Sequence, residues 1–382
     1  MKKKISLLIR EEGGAISVMA VIMLFAFIGI LAVVIDLGHL HTVQNELRNA
    51  ADACALRGAR GFFDDNLTTI SSTPPNTGPG TNGAIDKASA AIGDNRSDNV
   101  QLVTLPVGDI QVGLWDYVGR QLLPYTWPPD VSWWGKAIGP GISLPTQKTD
   151  SYNAGPVTMT LANIFGMSTV AVRAEATAAL SGIGGFTPGS PVMPFGPMTP
   201  PPNAGPFTGY FRNDTNDTVG WSNLQGVPLG DKPNGTNAND LKKLLAGTGS
   251  PDTGPDHPVV SLNNGVVSSA IKEMTAKNNQ FGLVETAPKS NIFTPQGNNA
   301  AGVPYADVVY LLPVYDKALT GGDVDKFNQA AVVGAIAAKL VEVADSPGNN
   351  IKVWIMTEGY VAPGVGGGLW YGVLSTQPFL VQ

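Results

Sequence analysis

Cysteine, histidine and charge are all scarce in this chain of 382 residues. The single cysteine, Cys54, excludes an internal disulfide in any redox compartment. It is expected as a small buried thiol in place of an alanine, with an intermolecular disulfide as the other reading. Three histidines leave little material for a zinc site or a general base. His39 and His41 are two apart, so they face different sides of a helix and cannot share a metal as an i, i+4 pair does. They read as polar residues at headgroup level. His257, beside Asp256 in a Pro/Asp loop, reads as a turn residue rather than the base of a Ser–His–Asp triad. Charged residues make up only 14% of the chain, and no G-x-x-x-x-G-K-[ST] string occurs, which excludes a P-loop and its nucleotide. GVGGG at 364–368 has no helix after it and reads as a flexible loop. Nothing marks out a pair of carboxylates for glycoside hydrolysis. No catalytic residue, cofactor or metal site is expected, and the chain reads as non-enzymatic.

The charges present are unevenly placed. Net charge is −6. Lys2, Lys3, Lys4 and Arg10, with Glu11 and Glu12, sit in the first 14 residues, so the rest carries −8. Such an acidic body lacks the phosphate-neutralising patch that nucleic-acid binding needs. With 43% hydrophobic residues, 46 Gly and 30 Pro, it is too apolar for disorder and suits a loop-rich, β-rich fold.

What the sequence has in quantity is one long hydrophobic run. Ala15 to Ile35 (AISVMAVIMLFAFIGILAVVI) carries no charge and is closed by Asp36. At 1.5 Å per residue it would be roughly 31 Å long as a helix, the hydrocarbon thickness of a bilayer. A lone spanning segment must be a helix, because lipid offers its backbone no other partners. The four leader cations place the amino terminus in the cytoplasm and export the remainder. A cleaved secretory signal would have a shorter apolar core and small residues at the cut. A prepilin-type leader would be cut after Gly13 or Gly14, but Val18 or Met19 stands where pilins place Glu. The leader is expected to be retained; a mature amino terminus at Ala15 would overturn this.

The run continues without a break into a polar helix, residues 36–61. Leu37, Leu40, Gln44, Leu47, Ala51, Cys54 and Gly58 follow a 3-4-3-4 spacing and form one stripe. Small residues crowd its end, from Ala50 to Ala59, and allow close approach of the chain's own sheet or of a partner helix. Glu46, Arg48, Asp52, Arg57 and Arg60 take the other faces.

Gly14, the apolar helix and the sequence VVIDLGHLHTVQNELRNAADACALRGAR together resemble the amino-terminal segment of TadG-like (TadE/TadG-type) proteins of Flp, or tight-adherence, pilus assembly. The matching residues are Asp36-Leu37-Gly38, Leu47-Arg48-Asn49-Ala50-Ala51-Asp52-Ala53 and Ala55-Leu56; Cys54 departs from the alanine usual there. Residues 157–180, 308–316 and the closing strand resemble relatives more weakly. The resemblance implies a single-pass protein of the bacterial inner membrane. Its partners would be the lipid bilayer and other pilus-assembly proteins or minor pilins. Some relatives carry a von Willebrand factor A-like insert whose metal site begins D-x-S-x-S; no such string occurs here. A second reading is an anchored, adhesin-like surface-binding module that uses Trp127, Trp133 and Trp134 as aromatic faces for glycan or a protein partner.

The fold class expected is α+β: a transmembrane helix running into a stalk helix, then a β-rich exported body in two subdomains. The expected divisions are a leader (1–14), the span (15–35), the stalk (36–61), an α+β subdomain (62–182), a Pro/Gly linker (183–206) and a β-rich subdomain (207–382). In the first subdomain, 84–92 reads as a helix and 99–118 as a hairpin turning at 106–109. Residues 122–151 read as irregular, and 156–162 and 169–180 as strands. In the second, 266–277 reads as a helix, and 308–315, 332–343, 351–361 and 369–381 as strands. The Ala-rich segment 332–343 could equally be a helix by propensity; its reading as a strand is what the resemblance implies. The Asn/Asp loops at 212–221, 231–240 and 251–258 read as turns, with calcium binding as the other reading.

Overall fold

The computed structural model describes residues 2–63, 83–124, 131–188, 190, 192–198, 204–210, 219–263, 268–276, 280–316, 329–345, 350–356, 360–362, 364–371 and 373–381. The fold is α+β: one long amino-terminal helix and a body of several sheets. The helix, Lys2–Ala59, has 58 residues. It stays unbroken because the first proline comes only at Pro74. Most of its apolar run is exposed, with Ala32 covered: Ile22 is 63% exposed, Phe25 71%, Ile35 55% and Ala32 1%. An exposed apolar surface of this kind has no stable place in water and fits hydrocarbon. Among the described residues this is the one helix long and apolar enough to cross a membrane.

The chain forms two compact units, each gathered from separated stretches. The first comprises Met1–Ala55, Ala88–Ile110 and Ser143–Ala176. It contains a tight hairpin, Arg96–Ser97 against Val100–Gln101. Asp98 and Asn99 turn that hairpin at φ 56° and 59°, the left-handed pair that a two-residue type I′ turn requires. Val157–Thr158 pairs with Thr169–Val170, and between them lies a 3-10 turn, Ala162–Phe165.

The second unit comprises Leu56–Lys87, Gln111–Ile142 and Thr177–Gln382. It is built on a strand of 16 residues, Gln329–Ala344, the hub of a seven-stranded sheet. Val309–Asp316, Asn350–Ile355, Ile292–Pro295 and Val259–Ser261 all pair with it, antiparallel. Two bulges decide which face each of its side chains takes. Ala330 and Val332 share one apolar cluster with Ala335 and Ala337, so the parity changes between 332 and 335. The register slips there, opposite Val314/Tyr315. Ile336, Ala338 and Leu340 share the other cluster with Val343, across the slip between Leu340 and Glu342. An extra residue at each bulge keeps apolar side chains directed into both layers. The strand is therefore buried nearly throughout, as a central strand covered on both faces should be.

Several expectations change. Residues 122–151 are not irregular throughout: Ile138–Lys148 is an 11-residue strand, buried along its length. Its Pro and Gly disguised it, yet Gly139 is needed, because a Cβ there would lie 1.5 Å from the Leu180 carbonyl oxygen. The single hairpin expected over 99–118 is replaced by two. The second, Gln111–Asp116 with Gln121–Leu123, turns through Arg120 at φ 50°. Val107–Asp109 is a 3-10 turn. Only Val157–Thr158 of the strand expected at 156–162 is extended. The stretch 183–206, expected as a linker, is folded where described. Phe195–Pro197 pairs with Val219–Trp221, and Ile183 and Phe186 are fully buried. An unexpected helix, Ala238–Leu245, is capped by the Asn237 side chain, which accepts the Asp240 N–H. The helix expected at 266–277 is described over Ser268–Met274.

Candidate functional site, a clasp on the rod helix

The lower part of the rod, from Asp36 to Ala55, is gripped within the first unit. Asp36 is a charged residue that is only 2% exposed. Its carboxylate accepts the N–H groups of Thr160 and Leu161, both at 3.0 Å, and of Ala162. These donors lie at and just before the start of the Ala162–Phe165 turn, whose N-cap residue Leu161 supplies no side-chain cap. Asp36 thus caps a turn more than a hundred residues away in sequence, and the three donors compensate a buried charge. Burial pushes its pKa up most strongly, but the three N–H bonds and the His39 imidazole together leave it below the ordinary aspartate value.

One turn further on, the Asp98–Asn99 hairpin meets the helix. His39 Nε2 lies 2.9 Å from Asp98 Oδ1, and the Asp98 N–H donates to Glu46 Oε2 at 2.7 Å. Lys148, 2% exposed, stands 4.0 Å from the other Asp98 oxygen and donates to the Asn153 carbonyl at 3.2 Å. Asn153 is itself a buried staple. Its Oδ1 accepts from Val103 and Thr104 N–H, and its Nδ2 donates to the Thr104 and Gln147 carbonyls. Higher still, Thr146 Oγ1 donates to the Leu47 carbonyl at 2.8 Å.

The apolar contact lies on the same side of the rod. Val43, Leu47, Ala50, Ala51, Cys54 and Ala55 are 0–1% exposed. The expected stripe is right for Leu47, Ala51, Cys54 and Gly58 and wrong at its start. Leu37 is 63% exposed, and Asp36 and Val43 take the inner positions instead. The residues that carry the family resemblance therefore divide by face. Asp36, Leu47, Ala50 and Ala51 point into the unit; Leu37, Gly38, Asn49 and Ala53 point out, with Asp52 half-buried between. The stripe is filled by the chain itself.

Burial pushes the Cys54 thiol up to about 12, helped by the Asp94 carboxylate. Trp127 lies outside the described residues. Trp133 is half-buried with the Lys136 ammonium 4.4 Å from its ring centre, and Trp134 packs edge-on to Tyr371 at 6.4 Å. His257 pairs with Asp252 at 3.1 Å rather than with Asp256. Among the described residues no three His, Cys, Asp or Glu side chains gather as a metal site.

His39, Glu46, Asp98, Thr146, Lys148 and Asn153 were not singled out for this role from sequence. The Asp-Asn dipeptide between short polar-apolar pairs was the one local signal, since it favours a type I′ turn. The rest depends on contacts far apart in the chain.

Residues 14–61 match the family model Tad, described as "Putative Flp pilus-assembly TadE/G-like". From Gly14 the rod is similar to the TadE/G-like segment. The match begins just before the apolar run and ends where the helix gives way to Phe62 and Phe63. It therefore takes in the bilayer-length apolar run and every helical residue of the clasp. The TadE/G-like match stops short of the body, and neither the curated proteins nor the solved structures give a match to any part of the chain.

Proposed function

We propose that this chain is a membrane-anchored accessory component of Flp-type pilus assembly, and that it is not an enzyme. The supporting observation is the coincidence of the family match with the rod and its clasp. The basic leader orients the amino terminus to the cytoplasm, and the body then stands on the far side of the inner membrane. The rod's small-residue stripe is occupied by the chain's own first unit. Other pilus-assembly proteins or minor pilins would then meet the outward face of the rod or the body. The mechanism is mechanical: Asp36, Leu47 and the Asp98 cluster hold the first unit to its anchor, so force on one is transmitted to the other.

The adhesin-like alternative draws no support from Trp133 and Trp134, which contact Lys136 and Tyr371. Deletion of the gene tests the proposal. Loss of surface piliation and of adherence is the expected result. A deletion strain unchanged in both would end it.

A further inference from the structure

Among the described residues, the turn that Asp36 caps exposes two large apolar side chains. Ile164 is 70% exposed and Met167 56%. Their height relative to the membrane is set by Asp36, the first residue after the apolar run, which holds the N–H groups of Thr160, Leu161 and Ala162. Burial on the rod also extends below Asp36. Ala32 is 1% exposed and Gly29 half-buried, at i−4 and i−7 from Asp36 on the same stripe. Seven residues of helix are about 10 Å, similar to the depth at which interfacial segments sit at the boundary of headgroups and acyl chains.

The composition and backbone of the segment suit that depth. From Ser151 to Val172 the sequence has no charged residue. Three of its N–H groups are paired within the turn: Ile164 N–H donates to Leu161, Gly166 to Asn163 and Met167 to Ala162, at 3.0–3.2 Å. A charged segment would be expelled from the interface; this one carries no charge.

We infer that Ile164 and Met167 enter the leaflet on the body's side of the membrane, making the 160–167 turn a second lipid contact beside the rod. The clasp then joins two membrane-embedded pieces of one unit, and Asp36 keeps its charge at the boundary because the turn solvates it. This rests on the reading of 15–35 as the span.

The test uses the full chain with Cys54→Ala, reconstituted in phospholipid nanodiscs. Single nitroxide labels are placed through Ile164→Cys, Met167→Cys and, as a reference for the span, Phe25→Cys. Collision with oxygen, which concentrates in lipid, is compared with collision with a water-soluble nickel chelate. Oxygen collisions exceeding nickel collisions at 164 and 167 are expected. Nickel collisions dominating at either site while Phe25→Cys reports lipid would overturn the inference alone. A water-like Phe25→Cys would overturn the span and the inference together.

Discussion

The Asp36 carboxylate accepts the Leu161 N–H at 3.0 Å across 125 residues of sequence. This bond and its two neighbours tie the last turn of the apolar run to the body. They make Asp36 a structural cap as well as the end of a hydrophobic segment.

Replacing Asp36 with Ala removes the acceptor for three backbone donors at once. Hydrogen exchange at Thr160, Leu161 and Ala162 should accelerate by at least an order of magnitude in the variant, while exchange in Gln329–Ala344 stays at the wild-type rate. Equal protection of the three amides in both proteins would contradict the cap.

The pKa of Asp36 is lower in the folded chain than its ordinary value near 3.9. The stabilisation from ionisation is then fully present above that value and is lost as pH falls through the folded pKa. Protection of the same three amides should hold at neutral pH and fade only below the ordinary aspartate value, as pH passes through the lower folded pKa. Asp36→Asn should show weak protection with no such pH dependence. A wild-type profile as flat as that of Asp36→Asn refutes the assignment.

The two faces of the rod should respond differently to truncation. Leu47 is fully buried, and Leu47→Ala should cost about 2–5 kcal/mol. Ala51→Leu should cost about 1–3 kcal/mol by overpacking. Asn49 is exposed, and Asn49→Ala should stay within about 0.5 kcal/mol. Thermal unfolding of the three variants in nanodiscs separates these outcomes, and similar losses for Leu47→Ala and Asn49→Ala would remove the distinction between faces.

Cys54 should be chemically silent. With its pKa at about 12, the thiolate fraction at pH 8 is on the order of 10⁻⁴, and the sulfur is fully buried. Maleimide should label the native chain at least a hundredfold more slowly than the denatured one. Rapid native labelling, or a dimer on a non-reducing gel, would restore the intermolecular disulfide.

The rod was legible in the sequence because its signal is local. Twenty-one uncharged residues of the right length need no partner to be recognised, and the Ala-rich end announced a close contact. The phase of the stripe was not legible at its start. Leu37 looks like a core residue by type, whereas Asp36 becomes one only when three distant N–H groups converge on it. The body hid its strands for similar reasons. Ile138–Lys148 carries Pro140, Pro145, Gly139 and Gly141, which mark loops elsewhere and here serve a buried strand in close contact with Leu180. Gln329–Ala344 has helix-forming composition and is held as a strand by partners on both edges and two bulges that no local pattern encodes. Asp98 and Lys148 are ordinary charges in sequence and become a clasp only through the Asn153 staple.

Complementation of the deletion strain tests the central claim most directly. The wild-type chain and Asp36→Ala would be expressed to equal amounts in the membrane fraction, and surface pili counted by electron microscopy. The account predicts that the wild-type chain restores piliation and that Asp36→Ala does not. Full restoration by Asp36→Ala would contradict it.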